Sequence, residues 1–192
     1  MATRKRKPRI LLDCDGVLSD FIGGVLDVVR DREEVELEAK DFPRGEIFKQ
    51  LGEIDPGLRR MASAAIMERG FCAGLAVLPG AESGVRTLRA AGLEVYIVTS
   101  PVTKSHYWMC ERYEWLMEHF GIDNKYVIFT QSKHIVQGDI FIDDRDDHVE
   151  EWVEHQKNGA GFIWDTLHNR HVGQDLQRLK SWEELHEILR IK

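Results

Sequence analysis

The chain has 192 residues, enough for one domain with a substantial core and a modest insertion. Hydrophobic residues make up 43% and charged residues 31%, the balance of an ordinary soluble globular protein. A formal net charge of −7 excludes a general nucleic-acid coat, which needs a basic face, and no run of about 18 apolar residues is present to span a membrane.

The chain opens on one basic cluster, Arg4-Lys5-Arg6-Lys7, read as a disordered, solvated tail over residues 1–8. No apolar stretch of signal length follows it, so it is not a secretory signal. Next comes Ile10-Leu11-Leu12, a short buried strand, which runs into Asp13-Cys14-Asp15-Gly16. Two carboxylates where a strand opens into a loop can share one hard cation and leave an oxygen free to attack an electrophile. An EF-hand loop would continue with further acids and a glycine, whereas here Val17, Leu18 and Phe21 follow. Strand alternation turns Cys14 away from the two acids, into the core. Cys14, Cys72 and Cys110 show no metal or disulfide spacing, and so sparse a set suits a reducing cytoplasm.

Residues 21–78 hold no convincing strand, and Leu58, Met61, Ala62, Ala65 and Ile66 share one helical face. They read as a helical lid inserted between the first strand and the rest of the core. A helix over 81–91 then stops at Gly92. A strand over 93–99 ends in Thr99-Ser100-Pro101. Met109, Tyr113, Leu116 and Phe120 recur at helical spacing before Gly121. A strand over 126–130 precedes Lys133, and one over 140–143 ends in Asp143-Asp144-Arg145. A helix over 148–157, a strand over 160–164 and a helix over 182–190 complete the pattern. Strands alternating with helices predict an α/β fold, a Rossmann-like parallel sheet whose strand ends bind the ligand.

That rim gathers Asp13, Asp15, Thr99, Ser100, Lys133, Asp143, Asp144 and Arg145. Phosphate monoesters hydrolyse so slowly unaided that a catalyst must supply on the order of 20 kcal/mol. A carboxylate nucleophile splits the step in two, and a second acid protonates the leaving oxygen. Magnesium offsets the repulsion between carboxylate and phosphate, while hydroxyls and a lysine stabilise the phosphoryl oxygens. Taken singly, Thr99-Ser100 also reads as a helix cap and Lys133 as a solvated side chain. His168 and His171 read as surface or structural histidines, because a zinc site lacks a third ligand. Trp108, Trp115, Trp152, Trp164 and Trp182 read as packing residues.

Together these motifs resemble the haloacid dehalogenase superfamily of phosphatases, over nearly the whole chain. The resemblance implies an aspartyl-phosphate mechanism with Asp13 as nucleophile and Asp15 as general acid/base. Thr99 and Lys133 would hold the phosphate. Asp13, the Asp15 backbone carbonyl and Asp144 would bind magnesium, supported by Asp143. It further implies a core of residues 9–20 and 79–192 with a small helical cap over 21–78.

A closer resemblance is to the 5′(3′)-deoxyribonucleotidases. It rests on the stretch from Asp13 to Phe21, on Leu78-Pro79-Gly80-Ala81, on Thr99-Ser100-Pro101 and on Glu111-Arg112-Tyr113-Glu114-Trp115. Ile142-Asp143-Asp144-Arg145 and His168-Asn169-Arg170-His171 complete it. This implies a nucleoside monophosphate as substrate, with Phe21 near the sugar or base and Ser100 and Arg145 near the phosphate. A homodimer is left open. The family carries an aromatic pair after Arg44-Gly45, where this chain has Glu46-Ile47 and then Phe48; further on, an aromatic run is replaced by Phe71-Cys72-Ala73. Stacking contributes ~1–3 kcal/mol per base, so Phe21, Phe48 and Phe71 are the remaining candidates to contact it. The rival readings are a sugar-phosphate or nucleic-acid-end phosphatase of the same fold, and a non-catalytic nucleotide-binding module.

Overall fold

Each of the buried strands is covered on both faces, and that fixes the layers of the molecule. The computed structural model describes residues 6–33, 37–42 and 46–191. The strands are β1 (Arg9–Leu12), β2 (Glu94–Thr99), β3 (Val127–Phe129), β4 (Ile140–Asp143), β5 (Ala160–Trp164) and β6 (Gln177–Leu179). They form one parallel sheet in the order β3-β2-β1-β4-β5-β6. β1 is central and, past Arg9, apolar and fully buried, as a strand covered on both sides must be. Its alternation sends Ile10 and Leu12 to one face and Leu11 to the other.

The first face is packed by α4 (Ala81–Ala90), α5 (Trp108–Phe120) and α7 (Trp182–Ile188), through Val85, Leu88, Trp115, Leu116, Trp182 and Leu185. The second is packed by α6 (Asp146–His155), whose Val149 and Trp152 meet Leu11, Val98 and Phe141. Cys14 lies in the first cluster, as alternation predicts, and burial pushes its thiol up.

Three helices interrupt the alternation between β1 and β2: α1 (Phe21–Glu33), α2 (Ile47–Ile54) and α3 (Pro56–Ala65). They share an apolar cluster of their own, with Val25, Leu26, Ile47, Leu51, Leu58 and Ala62 at its centre. The two ends of this segment run side by side. Asp20 N–H donates to Ala76 O at 2.9 Å and Leu78 N–H to Leu18 O at 2.8 Å. Among the described residues no helix is long and apolar enough to cross a membrane.

One strand departs from the sequence reading. β6 was not foreseen: it is a three-residue edge strand, Gln-Arg-Leu, with one buried side chain. Of the basic tail, residues 1–5 lie outside the described residues, while Arg6 pairs with Asp139 at 2.6 Å.

Candidate active site

The strand order reverses beside β1, and in such sheets the crevice at the reversal, beyond the carboxyl ends, holds the ligand. β1 and β4 are neighbours there, and Asp13 N–H continues the ladder by donating to Ile142 O at 2.9 Å. This register brings Asp13, Asp143 and Asp144 together, all buried, with one carboxylate oxygen from each within 4.8 Å of the others.

Three buried carboxylates repel one another, and the structure answers with a buried lysine. Lys133 begins a single helical turn after β3, and its Nζ lies 2.8 Å from Asp13 Oδ1 and 2.7 Å from Asp143 Oδ2. Lys133 is not the solvated side chain that a lone lysine ordinarily is, because only 3% of it is exposed. An ammonium has three N–H donors, so one remains beyond these two.

Asp143 also accepts from Arg145 N–H at 3.0 Å and lies 3.1 Å from His148 Nδ1. Burial opposes its charge, but Lys133 and His148 outweigh burial and hold it well below the usual carboxylate range. The other two carboxyls move the opposite way. Burial first, and Asp143 second, push Asp13 up to about 8 against the pull of Lys133. Burial likewise pushes Asp144 up, against a hydrogen bond from His168. Two carboxyls that resist ionisation beside one cation are short of positive charge, and hard oxygen donors at this spacing suit a small divalent cation.

Asp144 is positioned from behind. His168 Nε2 donates to its Oδ2 at 2.8 Å, and Asn169 Nδ2 donates to its backbone carbonyl and to Trp164 O, each at 2.7 Å. His168 is therefore structural, as the sequence suggested, but its partner was not foreseen. His171 is exposed. Gly16 lies beneath Asp144 with φ +82°.

Asp15 is half-buried and takes two hydrogen bonds on one oxygen, from Ser19 Oγ at 2.6 Å and from Arg112 Nη2 at 2.7 Å. Arg112 enters the sequence reading only as part of the stretch Glu111–Trp115, with no role of its own, because a charged residue within an amphipathic helix ordinarily faces water.

A pocket of about 250 Å³ opens over these groups. Asp13, Asp15, Thr99, Ser100, Lys133, Asp144 and Arg145 line it, and Phe21, Ile22, Pro101, Val102 and Trp108 supply an apolar wall. Thr99 is buried and its Oγ1 has no hydrogen-bond partner among the described residues, so it does not serve as a helix cap. Ser100 Oγ reaches Thr130 O at 3.5 Å, and Arg145 Nε pairs with Asp147 at 2.9 Å. His148 lines the pocket too, although no motif or spacing singles it out.

The aromatic candidates divide. Phe21 lines the pocket, whereas Phe48 and Phe71 stand one ring further back, 6.1 and 6.2 Å from Phe21. Trp108 is packed, as expected of it, yet it also forms wall, 6.0 Å from Phe21 and edge-on.

Comparison with known proteins agrees with this architecture. The chain is 34% identical over 188 residues to human cytosolic-type 5′(3′)-deoxyribonucleotidase, covering 93% of this chain and 91% of the relative. It is 32% identical over 185 residues to the mouse mitochondrial 5′(3′)-deoxyribonucleotidase, covering 93% and 83%. Among solved structures, a HAD family hydrolase from Deinococcus radiodurans, with bound phosphate and sodium, superposes with a TM-score of 0.58 at 14% identity, covering 95% of each chain. The Bacillus subtilis HAD-hydrolase YfnB, bound to magnesium, gives 0.59 at 14% identity, covering 97% of this chain and all of the other. At that identity the likeness carries the fold. The family model described as "5' nucleotidase, deoxy (Pyrimidine), cytosolic type C protein" matches residues 7–192, and the chain belongs to this family of phosphoric monoester hydrolases.

Proposed function

We propose that the chain hydrolyses nucleoside 5′-monophosphates, deoxynucleotides foremost, through an aspartyl-phosphate on Asp13, with magnesium as cofactor. The observation that carries this reading is the buried Thr99 hydroxyl, without a hydrogen-bond partner among the described residues, in one pocket with Lys133 and the carboxylates. Such a hydroxyl costs about 1–3 kcal/mol unless a ligand accepts its hydrogen bond, and a phosphoryl oxygen is the acceptor that a neighbouring ammonium favours. Phe21, Val102 and Trp108 support a leaving group with apolar surface, as a nucleoside has. The family and its deoxyribonucleotidase members support the substrate class.

In this reading Asp13 attacks phosphorus while Lys133 and Thr99 hold the equatorial oxygens, with Ser100 and Arg145 at their margin. Asp15 gives its proton to the departing 5′-oxygen. It then takes a proton from water, which attacks the aspartyl-phosphate, releases phosphate and restores the Asp13 carboxylate. Bound through Asp13, the Asp15 backbone carbonyl and Asp144, magnesium would supply the charge that lets a carboxylate approach a phosphate dianion. Asp143 keeps Lys133 in place. Helices α1 to α3, within residues 21–78, act as a cap on a core of residues 9–20 and 79–192. The free, buried thiols of Cys14 and Cys72 suit the reducing cytoplasm.

The test is phosphate release from nucleoside, deoxynucleoside and sugar monophosphates with magnesium, beside the Asp13→Asn protein. Deoxynucleotides should be cleaved preferentially, and the variant should lose on the order of 10³-fold or more while remaining folded. Turnover confined to sugar phosphates would keep the chemistry and replace the substrate. An active Asp13→Asn protein would remove the nucleophile.

A further inference from the structure

The stretch Glu111-Arg112-Tyr113-Glu114-Trp115 lies in α5, and its first two residues are adjacent buried charges that grip different segments. The Arg112 side chain is 0% exposed. Its Nη2 donates to Asp15 Oδ1 at 2.7 Å, and its Nη1 to Ser19 Oγ at 3.2 Å and Cys14 Sγ at 2.8 Å. Its guanidinium carbon lies 5.0 Å from the Trp108 ring and 5.5 Å from the Trp115 ring. Glu111 instead accepts from backbone N–H groups of the segment returning from the inserted helices: Gly70 at 2.7 Å and Ala73 at 3.3 Å. Trp115 Nε1 donates to Leu75 O at 2.8 Å and Ser105 Oγ to Met67 O at 3.0 Å, so the same region of chain fastens that segment at four points.

Burying a guanidinium is costly, and ordinary packing of α5 does not require it. What it gains here is a fixed Asp15: one oxygen is held by Arg112 and Ser19, while Oδ2 takes no hydrogen bond among the described residues, and proton transfer demands placement within fractions of an ångström. We propose that Arg112 is the positioning residue for the general acid Asp15, and that Glu111 couples this placement to the returning segment of the inserted helices. The proposal rests on the phosphatase reading above.

The experiment compares kcat/KM for a deoxynucleoside 5′-monophosphate, whose alkoxide needs a proton to leave, with that for p-nitrophenyl phosphate, whose phenolate leaves without one. Arg112→Lys keeps a buried cation but loses the fork. Its kcat/KM should fall at least about tenfold further on the nucleotide than on the nitrophenyl ester. Glu111→Gln, which keeps shape and one acceptor, should move the ratio the same way by a smaller factor, and it carries the test alone if the arginine variant does not fold. An equal fall on both esters, or wild-type values on both, would overturn the positioning role. An unmoved ratio in Glu111→Gln would overturn the coupling. Wild-type protein inert toward both esters would overturn the phosphatase reading and this proposal with it.

Discussion

A Cβ on Gly16 would stand 2.2 Å from Asp144 Oδ2, and the residue's φ of +82° is one that side chains rarely adopt. Gly16→Ala therefore meets strain and collision at once. Its cost in stability should be about 1–2 kcal/mol from the backbone alone. If Asp144 holds magnesium, the variant should also lose magnesium-induced stabilisation, measured as the shift in Tm on adding the ion; an unchanged shift would detach Asp144 from metal binding. At this scale the chain was partly legible. Asp13 and Asp15 stand out because an apolar run ends in two acids and a glycine, although the same pattern also opens calcium-binding loops. Lys133, Thr99 and Asp144 became readable only as a set at successive strand ends. The partners of Arg112 and His168 were not foreseen, since they lie 97 and 24 residues away and neither spacing leaves a local mark.

Elements with strong periodicity or clear stops were read closely. α5 ends at Gly121, whose φ of +58° gives the left-handed cap that a helix stop implies. β4 and β5 have the bounds that their apolar runs predict. β6 escaped because an edge strand of three residues needs only Leu179 to be apolar, which is too little for a period to emerge. α7 depends on its start: Ser181 Oγ accepts from Glu184 N–H at 3.2 Å, and Trp182 and Leu185 then pack on the sheet. Ser181→Ala should cost about 1 kcal/mol, visible as a lowered Tm with phosphate release intact. Lost turnover at an unchanged Tm would mean that α7 contributes to the site rather than to stability.

The burial of the carboxylates makes the whole molecule sensitive to pH and cation together. Asp13 has an ordinary value of 3.8 and is pushed up to about 8 in the folded chain without metal. Between those values the folded chain holds more protons than the unfolded one, so its stability falls as pH rises through that window. A magnesium ligand must be deprotonated, so the ion should restore more stability at pH near 8 than at pH near 5. Melting curves with magnesium and with chelator at both values should show the gap widening with pH; a constant gap would mean that Asp13 does not exchange its proton for the ion. The strand order was only implied by the alternation of strands and helices, since sequence pattern does not say on which side of β1 a later strand returns.

The paired backbone bonds where the chain leaves and re-enters the sheet, between Asp20 and Ala76 and between Leu78 and Leu18, have an evolutionary consequence. Departure and return points lie one hydrogen bond apart, so the sheet's geometry does not depend on how many residues travel between them. Lengthening a flexible excursion costs little, about 0.6 kcal/mol per doubling. Selection can therefore shorten, extend or exchange the excursion, and so retune what reaches Asp13, while the chemistry beneath it is inherited unchanged.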